Sequence, residues 1–304
     1  MRKSSPIPVL AAASLLTSLS LATIAHAQVQ QAQPPSEAEL QQRAEKLTAN
    51  QHRNEVAVDQ FERIEHQVDR TGGANPRILE DRTYRVVPTG TGTMKILLSD
   101  GGKATDPADY RKQLELWRQA LELALNPNDP RAKTAYAKFE KKKKDRSDLI
   151  DDAKDDFTRK WLGLETINGH ICDVLQLDPR PDFHPHTIFQ EAISRVTAKI
   201  WVDHYQNQLV RAEARIVRDL SIGAGILGKL YRGGVFFTEQ VEVAPGVWLP
   251  SRYQYDFTAR KFLFTFEQHQ YIEASHYHRI GPPKEALAMV QNELATGKSF
   301  TGDP

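Results

Sequence analysis

Apolar and polar residues alternate strictly along two stretches on either side of residue 206, and this alternation constrains the fold more than any other feature. A period of two is typical of strands with one dry face. The short polar segment from Asp203 to Gln208 between them predicts a hairpin, so the strands are expected to pair antiparallel. The predicted dry face comprises Val196, Ala198, Ile200 and Val202 on the first strand and Val210, Ala212, Ala214 and Ile216 on the second. It covers an ordinary core or lines a cavity for an apolar ligand.

The N-terminus predicts an exported protein. Residues 1–27 have a basic start, an apolar stretch diluted by Ser and Thr, and the ending Ala25-His26-Ala27, which is typical of a secretory signal cleaved after Ala27. The alternative is an uncleaved anchor, because the apolar stretch is long for a signal. The expected compartment is the periplasm. Cleavage would remove Arg2 and Lys3, leaving 38 of 40 basic residues against 39 acidic ones, and nucleic acid is not an expected partner.

Three segments predict helices. Ser36 to Glu39 has the form of a capping box and begins a helix expected to end near Asn50. Asp106 to Asp156 predicts two capped helices that form a hairpin inserted between strands, and Lys284 to Thr296 predicts a C-terminal helix. Further strands are expected over residues 55–70, 77–87, 94–99, 161–167, 171–177, 221–234, 235–243, 248–257 and 262–275.

These elements predict an α+β fold. No predicted strand is followed by a crossover helix, so an antiparallel sheet is favoured. The expected architecture is one long, curved antiparallel sheet with an inserted helical hairpin and terminal helices, because such a sheet must cover its apolar face or close on itself. The expected organisation is a signal peptide (1–27), a linker and N-terminal helix (28–50), a sheet domain (51–280) with its helical insertion (106–156), and a C-terminal helix and tail (281–304).

Three segments resemble the exported lipoprotein-sorting proteins of the LolA/LolB type. The first, LGLETINGHICDVLQLDPRPDF (Leu162–Phe183), has a strand, an Asn-Gly turn and a strand ending in a Pro-containing loop. The second, TAKIWVDHYQNQLVRAEARI (Thr197–Ile216), carries the Trp-x-Asp Trp201-Val202-Asp203, and Val247–Tyr277 is similar where Trp248-Leu249-Pro250 opens a strand. The resemblance implies a half-open antiparallel barrel whose concave side, capped by helices, holds acyl chains.

The functional hypothesis is therefore a lipid-binding concave face. Residues 221–237 place apolar side chains among five glycines where a polar connection is expected, which predicts a flap over a hydrophobic mouth, a membrane-touching loop, or a loop tucked into the core. The expected ligands are acyl chains of a lipid or lipoprotein, with an envelope membrane or protein as a further candidate partner and no cofactor. The residues predicted to line the cavity or its mouth are Val196, Ile200, Ile216, Ile222, Ile226, Leu227, Leu230, Phe236, Trp248, Phe264 and Phe266.

Catalytic motifs are weak, and the chain is not expected to be an enzyme. His276-Tyr277-His278 and His184-Pro185-His186 have spacings that zinc can use, but no third ligand is fixed and HEXXH is absent, so no metal site is predicted. Cys172 follows His170 by two residues without an orienting third group, and this single cysteine forms no internal disulfide. No catalytic residue is predicted. A non-catalytic envelope interaction module with a filled core and a zinc-dependent hydrolase remain as alternatives to the carrier.

The run from Lys141 to Lys144 is followed by several aspartates and has two interpretations. Clustered lysines can contact anionic lipid headgroups. The favoured interpretation is a solvated helix face with Glu140 paired to Lys144, because the acids that follow cancel the local field.

Overall fold

The computed structural model describes residues 33–186, 188–222, 228–262 and 264–297, apart from the side chains of Ile188, Phe189 and Ile222. The predicted signal peptide, Ile226 and Leu227 therefore lie outside the described residues. From Pro34 onward the chain forms one compact unit.

The described residues form an open antiparallel sheet with helices. The strands are β1 (Phe61–Arg70), β2 (Ile78–Pro88), β3 (Thr93–Asp100), β4 (Lys103–Ala104), β5 (Phe157–Ile167), β6 (His170–Pro179), β7 (Val196–Asp203), β8 (Leu209–Ile216), β9 (Leu220–Ile222), β10 (Gly228–Leu230), β11 (Val235–Ala244), β12 (Val247–Lys261) and β13 (Phe264–Arg279). The helices are α1 (Glu37–Ala57), α2 (Pro107–Ala124), α3 (Pro130–Asp155), α4 (Ile188–Ile193) and α5 (Pro283–Thr296), and a 3-10 turn spans Val58–Gln60.

The strand order is β4-β3-β2-β1-β13-β12-β11-β8-β7-β6-β5, and every pairing is antiparallel. The two ends of this order, β4 and β5, do not pair with each other, so the sheet does not close. The predicted α+β half-open barrel with an inserted helical hairpin and terminal helices is confirmed.

The hairpin predicted on either side of residues 203–208 forms, with one exception. Strand β7 pairs with β8 from Val196↔Ile216 to Val202↔Leu209, but the register shifts between Trp201 and Val202. Because of this irregularity, Leu209 faces the same side as Ala212, whereas Val210 packs on the opposite side of the sheet against Trp201. The placement of Val210 on the dry face was therefore wrong.

Helix α1 is longer than predicted. Its capping box forms between Ser36 and Glu39, but the helix continues to Ala57 rather than ending near Asn50, so β1 begins only at Phe61. The sequence hides this extension because Asn50 and Asn54 are polar yet buried. The hairpin helices begin after the Asp106 and Asp129 caps as predicted. In the described part of the chain, no helix has the length and apolar character needed to cross a bilayer.

The described residues on either side of 223–227 form two short strands. Strand β9 pairs with β10, and β10 pairs with the end of β12 through Gly228↔Lys261 and Leu230↔Ala259. Their backbone hydrogen bonds extend the sheet, as the strand expected within residues 221–234 predicts and as a loop over residues 221–237 does not.

Helices α2 and α5 are fastened to the sheet by a buried ion-pair network. Arg85 on β2 donates from Nε to Glu62 on β1 (2.8 Å) and from Nη1 to Glu293 on α5 (2.8 Å). Tyr110 on α2 accepts from Arg85 Nη1 and donates to Glu293 (2.9 Å). An apolar core surrounds this network, formed by Val87, Ile96, Leu114, Trp117, Leu121, Ile280, Ala286, Val290 and Leu294.

We expect Arg85→Met to destabilise the fold by about 3–5 kcal/mol, because two buried carboxylates would lose their cation. Guanidinium unfolding measures the change. Arg82→Met is the matched control on the same strand: Arg82 is partly exposed and pairs with Glu80 and Asp100, so its unfolding midpoint should move far less. Equal midpoint shifts would contradict this account.

Candidate functional site

An apolar cavity of about 790 Å³ lies between the helices α1, α3 and α4 and the face formed by β6, β7 and β8. Most of its lining is aliphatic. The lining residues are Leu40, Arg43, Ala44, Leu47, Thr48, Gln51, Leu149, Ile150, Ala153, Lys154, Phe157, Arg159, Asp173, Leu175, Leu177, Ala192, Ile193, Val196, Ala198, Ile200, Val202, Leu209, Ala212, Ala214 and Phe236. The predicted dry face therefore lines a cavity.

The lining contains four charged residues: Arg43, Lys154, Arg159 and Asp173. Asp173, whose side chain is only 3 % exposed, accepts from Arg43, from Trp161 Nε1 (2.9 Å) and from the ring of His204 (2.9 Å). Arg159 donates to the carbonyl oxygen of Lys154 (2.7 Å) and to a side chain of α1. Lys154 pairs with Asp155 (3.6 Å), and the buried Nε of Arg159 has no hydrogen-bond partner among the described residues. Most of the other lining residues are aliphatic, so the cavity presents mainly aliphatic carbon to a ligand.

Helix α1 is held over the sheet by polar side chains. Asn50 Nδ2 donates to the carbonyl oxygens of Gln206 and Asn207 (3.0 and 2.7 Å), which lie in the β7–β8 turn. Asn54 donates to Gln208 (3.0 Å) and accepts from the backbone N–H of Trp248 (3.1 Å). These bonds satisfy buried amides, so they fix the position of the helix without filling the cavity.

The structure brings three of the eleven predicted site residues into this lining: Val196, Ile200 and Phe236. Ile216 is buried, with its Cδ1 2.8 Å from the position that a Cβ on Gly234 would take. Trp248 is buried against His170, with ring centroids 4.8 Å apart.

The remaining predicted site residues lie elsewhere or are not described. Phe264 and Phe266 are 79 % and 45 % exposed at the β12–β13 tip, and Leu230 is partly buried on β10. Ile226, Leu227 and the side chain of Ile222 lie outside the described residues.

Sequence reasoning missed most of the helical side of the cavity. Leu40, Ala44 and Leu47 follow one another at a helical spacing, which predicts one apolar stripe on α1. All three line the cavity. Leu149 and Ile150 come from the charged end of α3, where no apolar periodicity marks them. Only the antiparallel packing of α1 and α3 brings these two sets together.

The weak catalytic candidates do not assemble into a site. His276 has φ 51°, and the β1–β13 register shifts beside it, which interrupts the alternation that would have placed His276 and His278 on one face. His278 instead contacts Glu62 (3.0 Å). Among the described residues, no group of three or more His, Cys, Asp or Glu side chains could hold a metal ion.

The comparisons with known proteins give structural likeness only. No protein-family model matches the chain, and no curated protein matches it. A domain from Vibrio parahaemolyticus named for outer membrane lipoprotein sorting is similar over 78 % of this chain and 93 % of its own, with 9 % identity and a TM-score of 0.33. A LolA superfamily protein from Nitrosomonas europaea matches over 81 % and 96 %, with 13 % identity and a TM-score of 0.31.

A third similar structure is the MucA/MucB complex of Pseudomonas aeruginosa, at 8 % identity over 78 % of this chain and 93 % of that chain, with a TM-score of 0.21. The first two structures bear the name of the family that the sequence resembles. At these identities and TM-scores, the likeness carries no argument about function.

Cys172 is expected to be unreactive in the folded protein. Burial raises the pKa of its thiol to about 11, and Asp203 acts in the same direction, so the thiol is protonated at pH 8. Iodoacetamide at pH 8 should alkylate the folded protein on the order of 100-fold more slowly than the same chain in guanidinium, where the thiol has its ordinary pKa. Equal rates in the two solvents would show that folding neither shields this thiol nor raises its pKa.

Proposed function

We propose that this protein is a non-catalytic lipid carrier or sensor that holds the acyl chain of a lipid or lipoprotein in its apolar cavity. The observation that supports the proposal most is the cavity of about 790 Å³, bounded by aliphatic side chains of both the sheet and the helices. This volume falls within the range of about 300–1,000 Å³ that is usual for small-ligand sites. Most of the lining is aliphatic, which favours an apolar chain as the ligand.

The hydrophobic effect alone would supply useful affinity. Each methylene transferred from water into the cavity contributes about 0.8 kcal/mol before the cost of ordering the chain. Binding therefore needs no specific polar contact. The predicted secretory signal supports an envelope location, where such a carrier would meet lipids and lipoproteins.

Binding is tested by titrating the mature protein with cis-parinaric acid, whose fluorescence rises in an apolar site. Wild type should show saturable uptake. Ala198→Phe places a ring in the cavity and should weaken uptake at least about tenfold, because two excluded methylenes remove roughly 1.6 kcal/mol. The matched control is Ala137→Phe on the exposed face of α3, which should bind like wild type.

Circular dichroism confirms that each variant is folded before titration. If wild type is well folded and takes up no fatty acid, the carrier proposal fails. If Ala198→Phe binds as tightly as Ala137→Phe, the ligand occupies a different site.

A second candidate function, contact with an envelope membrane or protein, is favoured by one observation. Phe262, Phe264 and Phe266 are 53 %, 79 % and 45 % exposed at the β12–β13 tip. Exposed apolar clusters of this kind mark interaction surfaces. We expect Phe264→Ser to reduce cosedimentation with phospholipid vesicles while leaving fatty-acid uptake unchanged. Unchanged cosedimentation would remove the membrane as this partner.

A further inference from the structure

A second cavity, of about 520 Å³, lies beside the apolar one and differs from it in chemistry. Gln51 of α1 lines both cavities. Beyond Gln51, the C-terminal part of α1 and the middle of α3 line the second cavity, together with the β2–β3 turn and β12. Its charged lining residues are Glu55, Asp59, Arg63, Lys138, Lys142 and Arg146. We call it the polar cavity.

Arg63 on β1 lines the polar cavity, and one of its hydrogen-bond donors has no acceptor among the described residues. Its side chain is only 12 % exposed. Nε and Nη2 both bond to Glu65 (2.8 and 2.6 Å), whereas Nη1 is buried and has no hydrogen-bond partner among the described residues. Lys95 also pairs with Glu65 (2.9 Å), so one carboxylate serves two cations. A buried guanidinium donor without an acceptor is costly, and an oxyanion is the acceptor that it binds best.

Helix α3 adds three cations along one stripe. Lys138, Lys142 and Arg146 follow each other at four-residue spacing, and all three line the polar cavity. Arg146 pairs with Glu55 (2.6 Å). In the described structure, Lys138 and Lys142 have no ion-pair or hydrogen-bond partner.

The four lysines from Lys141 to Lys144 therefore do not share one environment. Lys141 and Lys144 pair with Asp145 and Asp148 on the solvated face, and the expected pair between Glu140 and Lys144 is replaced by these. Lys142 faces the cavity instead. Asp145 and Asp148 neutralise Lys141 and Lys144, but neither aspartate pairs with Lys142.

The polar cavity therefore carries an excess of positive charge. Its lining has four cations, Arg63, Lys138, Lys142 and Arg146, against the two carboxylates of Glu55 and Asp59. A phosphate monoester carries about −1.5 to −2 charge at neutral pH and three acceptor oxygens, so it matches this excess and accepts from several donors at once.

We propose that the polar cavity binds a phosphate-bearing polar group, with Arg63 as its principal contact and Lys138 and Lys142 at the rim. The phosphate belongs either to a small soluble metabolite or to the headgroup of an amphiphile whose chain occupies the adjacent apolar cavity. The phosphate site itself does not rest on the carrier function, because its residues are separate from the aliphatic lining except for Gln51.

Three probes distinguish the two sources by calorimetric titration below micellar concentrations. They are sn-glycerol 3-phosphate, lysophosphatidic acid, and the uncharged monoacylglycerol with the same chain. A soluble ligand predicts that glycerol phosphate binds, with an affinity that falls as salt is added. A headgroup ligand predicts that lysophosphatidic acid binds at least about tenfold more tightly than monoacylglycerol, since a charge-assisted hydrogen bond is gained.

In either case, Arg63→Gln should abolish the phosphate-dependent part of binding. Arg82→Gln on the neighbouring strand is the matched control and should leave all three affinities unchanged, because Arg82 lies outside the lining and pairs with Glu80 and Asp100. If Arg63→Gln does not fold, the double variant Lys138→Gln/Lys142→Gln, on the exposed side of α3, provides the same test with an expected loss of several-fold.

The outcomes separate this proposal from the carrier function. If glycerol phosphate does not bind, and lysophosphatidic acid binds no better than monoacylglycerol, the phosphate site is wrong while the acyl-chain site stands. If glycerol phosphate binds through Arg63 and neither lipid binds through its chain, the phosphate site stands and the carrier function falls. Phosphate-dependent binding that survives Arg63→Gln and the double lysine variant would also overturn the assignment.

Discussion

The fold depends on one constraint: an open antiparallel sheet cannot bury its own concave face. The order of strands leaves β4 and β5 unpaired with each other, so the apolar residues of β6, β7 and β8 need a cover from outside the sheet. Helix α1 provides it. Its polar residues Asn50 and Asn54 bond to the β7–β8 turn and to β12, while its aliphatic stripe faces the sheet. Polar contacts to the sheet also hold its N-terminal half, through Arg43 with Asp173, so the helix can span an apolar space that close packing would have filled.

The same pair of helices separates two environments of opposite chemistry. The N-terminal half of α1 and the C-terminal end of α3 line the apolar cavity, whereas the C-terminal end of α1 and the middle of α3 line the polar one. Between the cavities the helices meet through polar contacts, His52 with Asp151 (2.9 Å) and Arg146 with Glu55 (2.6 Å). An amphiphile has the same division between an apolar chain and a charged group. A carrier with the proposed function would therefore have room for the two parts of its ligand at successive positions along α1.

Much of the architecture was predictable because local signals were strong. The Asn168-Gly169 turn has both residues at positive φ and joins paired strands, and the Asp106 and Asp129 caps begin the hairpin helices where they were expected. Prediction failed where a tertiary contact overrode the local pattern. Val210 reverses its face because the register with β7 shifts, and α1 continues past Asn50 because buried amide bonds replace apolar packing there. The predicted site residues were drawn from the sheet alone, and so the helical half of the cavity was absent.

The sequence by itself determined the alternating strands, the helix caps and the presence of one apolar face, since period-two and period-3.6 patterns depend only on neighbours along the chain. Only the tertiary structure decided that this face borders a cavity. Packing density is a property of distant segments brought together, and no local pattern records it. The same reason applies to the polar cavity: Arg63 and Lys142 come from a strand and a distant helix, and their shared positive field exists only once the chain is folded.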